Sequence, residues 1–191
     1  MKKLFCLVFV TLCTITISAQ VTWNFKGGVG IATCWGDVSG LESHFVGKLG
    51  VGIEKPLSSN WSLMPSLEIA WKGAEYDDGF ESEVLDLFYA QIPIVAAYRF
   101  NLNDSWNLTL KAGPYFALGI YGNDKYSYGD YNEGVDIFSV GGVNRFDAGL
   151  DAGIDFECHR YVFGVEGEIG FLDMIDSIKN LAFYLTVGYK F

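Results

Sequence analysis

Three shortages narrow this chain before any motif is considered. Beyond the first twenty of its 191 residues there is no apolar run of 18, which excludes a helical membrane span. Only Cys34 and Cys158 lie outside that leader, too few for a disulfide scaffold and badly spaced for zinc. Positive charge is also scarce. Without the leader's Lys2 and Lys3, the 13 basic residues become 11 against 23 acidic ones, so no nucleic acid partner is expected. Catalytic motifs are missing too. There is no GxSxG elbow, the only histidines are His44 and His159, and "GGVGIAT" (27–33) lacks the third glycine and the βαβ setting of a phosphate loop. The expectation is no enzyme, no cofactor and no metal. What remains is a chain that is 50% hydrophobic and 16% aromatic, and its apolar surface must lie against something.

The leader says where that chain goes. "MKKLFCLVFVTLCTITISAQ" has a basic start, an apolar stretch from Leu4 to Ile17 and the small pair Ser18-Ala19. This is the layout of a secretory signal peptide, and its apolar stretch is too short to span a bilayer. Residues 1–19 are expected to be removed, which leaves 20–191 as one exported domain.

The stretch "NRFDAGLDAGIDFE" (144–157) shows how that domain is patterned. Asp147, Asp151, Asp155 and Glu157 hold odd positions, and Phe146, Leu150, Ile154 and Phe156 hold even ones. Strict alternation is the period of a strand with one apolar and one polar face. It recurs over approximately 23–35, 43–55, 61–73, 85–100, 106–121, 144–157, 161–172 and 180–191. Connections alternate as well. Short ones, "PLSSN", "NLNDS" and "CHR", follow the second, fourth and sixth segments, and longer ones follow the others. Strands with short turns at one end and long loops at the other describe an all-β, eight-stranded, antiparallel up-and-down transmembrane β-barrel. Closure satisfies every backbone group in lipid and leaves no open edge.

The polar faces decide which side turns inward. They carry Lys26, Lys48, Lys72, Arg99, Lys111 and Lys190 against Glu54, Glu68, Asp147, Asp151, Asp155, Glu157, Glu166 and Glu168. Six cations and eight anions make a nearly balanced set for a polar, plugged interior, with glycines beside them to leave room. A soluble lipocalin-like barrel is the structural alternative, with the apolar side inward around a ligand. The carboxylates of 144–157 read as members of this lumenal network. A glycosidase pair would need a substrate cleft, and calcium at Asp151 and Asp155 would need a ligand loop.

Function is expected in the loops. Loop two (74–84) offers Tyr76, Asp77 and Asp78. Loop three (122–143) offers Asp124, Tyr126, Tyr128, Asp130 and Tyr131. Tyrosine interleaved with Asn, Ser, Gly and Asp is the composition of binding loops, and it is also that of a solvated rim. The expected role is structural or surface-binding. A narrow channel is the alternative.

Four stretches carry a family resemblance: "YAQIPIVAAYRF" (89–100), "KAGPYFALG" (111–119), "FDAGLDAGIDFE" (146–157) and "LTVGYKF" (185–191). Together they resemble the PorT-like outer-membrane β-barrel family of Bacteroidota across nearly all of 20–191. The resemblance implies a bacterial outer membrane, lipid as partner and termini in the periplasm. Gly188, Tyr189 and Phe191 resemble the terminal strand read by the outer-membrane assembly machinery. Some relatives serve secretion or gliding machinery, which is a further alternative role. No catalytic residue carries over.

Overall fold

The computed structural model describes residues 21–36, 42–77, 81–128, 131–140, 143–174 and 177–191. The leader 1–19, Asp78 and Asp130 lie outside them. Alternation becomes pairing through nine strands: β1 (Thr22–Gly36), β2 (His44–Pro56), β3 (Trp61–Asp77), β4 (Glu81–Asn101), β5 (Trp106–Tyr128), β6 (Tyr131–Asp136), β7 (Phe146–Cys158), β8 (Tyr161–Gly170) and β9 (Ile178–Lys190). One helical turn, Ile137–Val140, follows β6. Each strand pairs antiparallel with its neighbour in the ring. β1 meets β9, and β4 meets β5, so eight strands close into a barrel. β6 stands outside the ring and, among the described residues, pairs only with β5.

Exposure follows the alternation. On β1, Trp23, Phe25, Val29 and Ile31 point outward at 42–57% exposure, and on β9 Phe183, Leu185 and Val187 do so at 51–64%. On the inner face of the wall lie buried Lys48 of β2, Glu68 of β3, Glu166 of β8 and Asp155 of β7. An inside of charge and an outside of Leu, Ile, Val and Phe is the reverse of a lipocalin. Water would not tolerate that outer face, and lipid favours it.

Aromatic rings edge both rims of the apolar band. At the short-turn end Trp61 meets Tyr98 at 5.0 Å between centroids, and Tyr161 meets Tyr189 at 5.4 Å. At the long-loop end Trp71 stacks on Phe88 at 5.7 Å, and Phe88 meets Tyr121 at 6.0 Å. Trp23 and Trp35, twelve residues apart on β1, mark the same two levels. At about 3.3 Å per residue and about 40° tilt they are about 30 Å apart, a hydrocarbon core's thickness.

Two expectations need correction. Residues 74–84 and 122–143 are not loops for most of their length. β3, β4 and β5 run on past the Trp71–Phe88–Tyr121 row, and β6 pairs with β5 from Tyr128↔Tyr131 to Asn123↔Asp136. The physical reason is local. In the sequence only Gly129 and Asp130 stand between Tyr128 and Tyr131, which is hairpin spacing. The fifth alternating segment also slips before it ends. Phe88 pairs with Tyr121 and Tyr89 with Gly119, so Ile120 is an extra residue on β5. Ile120 and Tyr121 are therefore both exposed, and the inward face of β5 passes to Gly122.

Candidate functional site

The lumen fills in layers, each held by side chains that cross from non-adjacent strands. At the short-turn end Glu54 of β2 meets Arg99 of β4 at 2.6 Å and Lys190 of β9 at 2.8 Å. Glu157 of β7 meets the same two cations at 3.1 and 2.7 Å. The four charges make a closed ring. Ser62 donates to Glu54 and Thr109 donates to Glu157, each at 2.9 Å.

The middle layer centres on Glu166 of β8. Three lysines reach it: Lys26 of β1 at 2.9 Å, Lys111 of β5 at 2.5 Å, and Lys48 of β2. Lys111 also meets Asp155 at 2.7 Å, and Lys26 meets Glu68 at 2.8 Å. Glu168 takes Lys48 at 3.0 Å and Lys72 at 2.8 Å, and Gln91 donates to it at 2.8 Å. Such a layer requires empty space beside the wall. A Cβ on Gly153, between Asp151 and Asp155, would meet the side chains of Lys111 and Glu166 at 2.9 and 3.0 Å. Above it, Tyr115 and Asn180 both donate to Asp147, at 2.9 and 3.0 Å. The Lys72 ammonium sits 4.2 Å over the Tyr115 ring.

All fourteen residues of the expected lumenal network face the interior. Twelve are buried, while Arg99 and Lys26 keep 29% and 18% of their side chains exposed. Asp151 departs from its expected role. It is 1% exposed, forms no ion pair among the described residues, and its Oδ1 has no hydrogen-bond partner. Sequence reasoning makes it the partner of a buried cation. The reason it is not lies in the count, since eight acids face six cations and the lysines are taken by Glu68, Glu166 and Glu168. Asp151 borders a cavity of about 40 Å3, shared with Lys26, Lys111, Ser66 and Thr186.

The long-loop end of the lumen is apolar, which alternation alone does not reveal. Leu87, Tyr89, Tyr115, Ala117, Phe138 and Met174 form one buried cluster, with Cys34, Ile137 and Ile178 packed on it. Phe138 comes from the helical turn after β6 and lies against the wall. A Cβ on Gly119 or Gly122 would collide with its ring. Arg145 donates to the Phe138 carbonyl at 2.8 Å and holds its guanidinium over the ring at 5.2 Å. The one sequence signal for this cap is the trio of apolar inward residues on β4, Leu85, Leu87 and Tyr89.

The expected loop residues fall on the strand extensions. Tyr76, 38% exposed, and Asp77 end β3. Asp124, Tyr126 and Tyr128 are in β5, and Tyr131 opens β6. The strands bring them together: Tyr76 pairs with Glu83 of β4, Glu83 with Tyr126 of β5, and Tyr126 with Glu133 of β6. Elsewhere the chemistry is sparse. His44 at the long-loop rim lies 3.4 Å from Glu75 and 3.2 Å from Asp86, and His159 at a short turn lies 3.5 Å from the Cys158 sulfur. Among the described residues no group of three His, Cys, Asp or Glu side chains is placed to hold a metal ion. Cys34 and Cys158 are free thiols at opposite ends of the barrel.

The family described as outer membrane protein beta-barrel domain matches residues 18–176. The chain belongs to this family. Its barrel therefore sits in the outer membrane, with the apolar outer face against lipid. Solved structures with a similar fold include Ail, the attachment invasion locus protein of Yersinia pestis. It is 14% identical with a TM-score of 0.45, over 89% of this chain and 98% of that one. Neisserial surface protein A is 9% identical with a TM-score of 0.48, over 88% and 97%. No curated protein matches the chain.

Proposed function

We propose that this outer-membrane barrel is a closed anchor whose working surface is the sheet formed by β3, β4, β5 and β6 beyond the long-loop rim. One observation carries this reading: three wall strands continue past the aromatic row, and a fourth strand is added that the barrel does not need for closure. Short turns of such barrels face the periplasm and long connections the exterior, so the sheet stands at the cell surface. Its sequence supports recognition, with Tyr76, Tyr126, Tyr128 and Tyr131 among Asp77, Asp78, Asp124 and Asp130. The lumen supports a plugged anchor rather than a channel. Its ion-paired layers and the Phe138 cap occupy the two ends and the middle of the lumen, and the cavity beside Asp151 is only about 40 Å3. The same proposal includes removal of residues 1–19, entry through the assembly machinery by way of β9, and a place near the PorT-like barrels of Bacteroidota.

Replacing 123–136 with a short Gly-Ser linker tests it in native cells. The barrel should keep its heat-modifiable gel shift while the surface phenotype of the chain is lost. Survival of every phenotype would end the reading. Purified wild-type protein in planar bilayers should show no steady porin-sized current, and a large stable current would favour the narrow channel instead. N-terminal sequencing of the membrane form should begin at Gln20.

A further inference from the structure

We propose that the lumenal cavity beside Asp151 binds one alkali cation of sodium's size, which brings the positive charge that the lumen's lysines withhold from this residue. The site lies among the wall strands and stands independently of the surface sheet.

Charge creates the need. Asp151 is 1% exposed, and its Oδ1 has no hydrogen-bond partner. A buried carboxylate in that state is unfavourable unless a positive charge reaches it. The neighbouring lysines are committed elsewhere. Lys26 is shared by Glu68 and Glu166, and Lys111 by Asp155 and Glu166. Lys48 is divided among Glu68, Glu166 and Glu168. Turning any of them to Asp151 would take it from another buried acid, and eight acids face six cations here.

The cavity offers oxygen. Besides Asp151 it is lined by Asp155, Ser66, Thr186 and Asn24. Two glycines leave the room. A Cβ on Gly164 would collide with both Asp155 Oδ1 and Thr186 Oγ1, so those two oxygens converge on one point. A Cβ on Gly52 would meet Asn24 Oδ1 at 2.8 Å and the Ser66 Cβ at 2.9 Å. Ser66 donates its hydroxyl hydrogen to Glu68 at 2.7 Å, which leaves its lone pairs for a cation. Pro65 and Pro93, also in the lining, bring no N–H to compete for these oxygens. Oxygen of this kind suits hard cations.

The same lining selects the ion. Only two carboxylates border the cavity, and among the described residues no group of three His, Cys, Asp or Glu is placed to hold a metal ion. Lys26, Lys111 and Lys190 border it too, and they repel a divalent ion more strongly than a monovalent one. An alkali ion is matched by one carboxylate and completes its shell with neutral oxygens and water. The volume of about 40 Å3 admits the ion and about two waters, at roughly 10–15 Å3 for each water-sized body. Solvent reaches the cavity beside Lys26, whose side chain is 18% exposed.

The test follows urea unfolding of the full barrel in zwitterionic micelles by tryptophan emission, in sodium chloride and in choline chloride. Equal ionic strength equalises screening, and choline is too large for the cavity. The wild-type midpoint should rise with sodium and saturate, as for a ligand bound by the folded state alone. Asp151→Asn should lose that rise, unfolding above wild type in choline and alongside it in sodium. Wild-type crystals soaked in thallium(I) should show an anomalous peak between Asp151 and Thr186, a result that needs no variant to fold. Absence of that peak would overturn the site. An equal sodium response in both proteins would place the salt effect elsewhere and overturn it as well. A wild-type midpoint that follows pH and ignores sodium would assign a proton to Asp151, against the proposal. A rise with calcium and none with sodium would count against the alkali ion in the same way.

Discussion

At the short-turn end of the lumen Arg99 and Lys190 close a ring with Glu54 and Glu157, whereas at the long-loop end Phe138 and Met174 seat against Leu87, Tyr89 and Tyr115. The first is built by wall strands alone, and the second borrows a ring from the segment that follows the surface hairpin. Charges are cheap to bury only when each has partners, so the ion-paired layers are sensitive to which sign is removed. The cap depends on volume and contact and is indifferent to sign.

The largest expected effect comes from breaking the charge balance in the costly direction. Lys48 contacts Glu68, Glu166 and Glu168, and its side chain is fully buried. Lys48→Met leaves five cations against eight acids in the lumen and should lower the unfolding free energy by about 3–5 kcal/mol. Urea titration of the folded barrel in micelles, read by tryptophan emission, checks this.

Phe138→Ala strikes the opposite end and should cost about 3 kcal/mol through lost contact and a residual cavity. Because the charged layers remain below, bilayer current should stay at the wild-type level. A current appearing in this variant would make the cap the sole barrier and dissolve the distinction between the two ends.

A smaller loss is expected for Arg99→Ala, about 1 kcal/mol, since its side chain is 29% exposed and Lys190 still bridges Glu54 and Glu157. Added salt should shrink that difference and leave the Phe138→Ala loss unchanged. The smallest effect belongs to Asp151→Asn. With no ion pair to lose and an excess of acids around it, the barrel should unfold at the wild-type urea midpoint or slightly above it. A loss as large as that of Lys48→Met would show that Asp151 neutralises one of the neighbouring lysines after all.

Much of this was legible because lipid is a simple judge. A strand in the wall has one face for hydrocarbon and one for the lumen, so period 2 in "FDAGLDAGIDFE" assigned each residue a side, and alternating connection lengths gave strand order and closure. The fourteen inward charges followed from the same parity. Parity assigns a side but not a partner. It placed Asp151 inside and could not say that Lys26, Lys48 and Lys111 converge on Glu166 instead, because those contacts cross between strands that are not neighbours. Nor did it carry through the bulge at Ile120, where pairing with β4 reset the face of β5.

The sequence by itself determined the export-type leader pattern, the eight wall strands, their facing and the charges that line the lumen, since each depends on local patterning against a uniform solvent. Tertiary structure alone decided how far β3 and β4 run on beyond the rim, that Phe138 turns back into the mouth, and that one acid is left without a cation. Those outcomes depend on what happens to be across the barrel, at separations where no periodicity in the chain reaches.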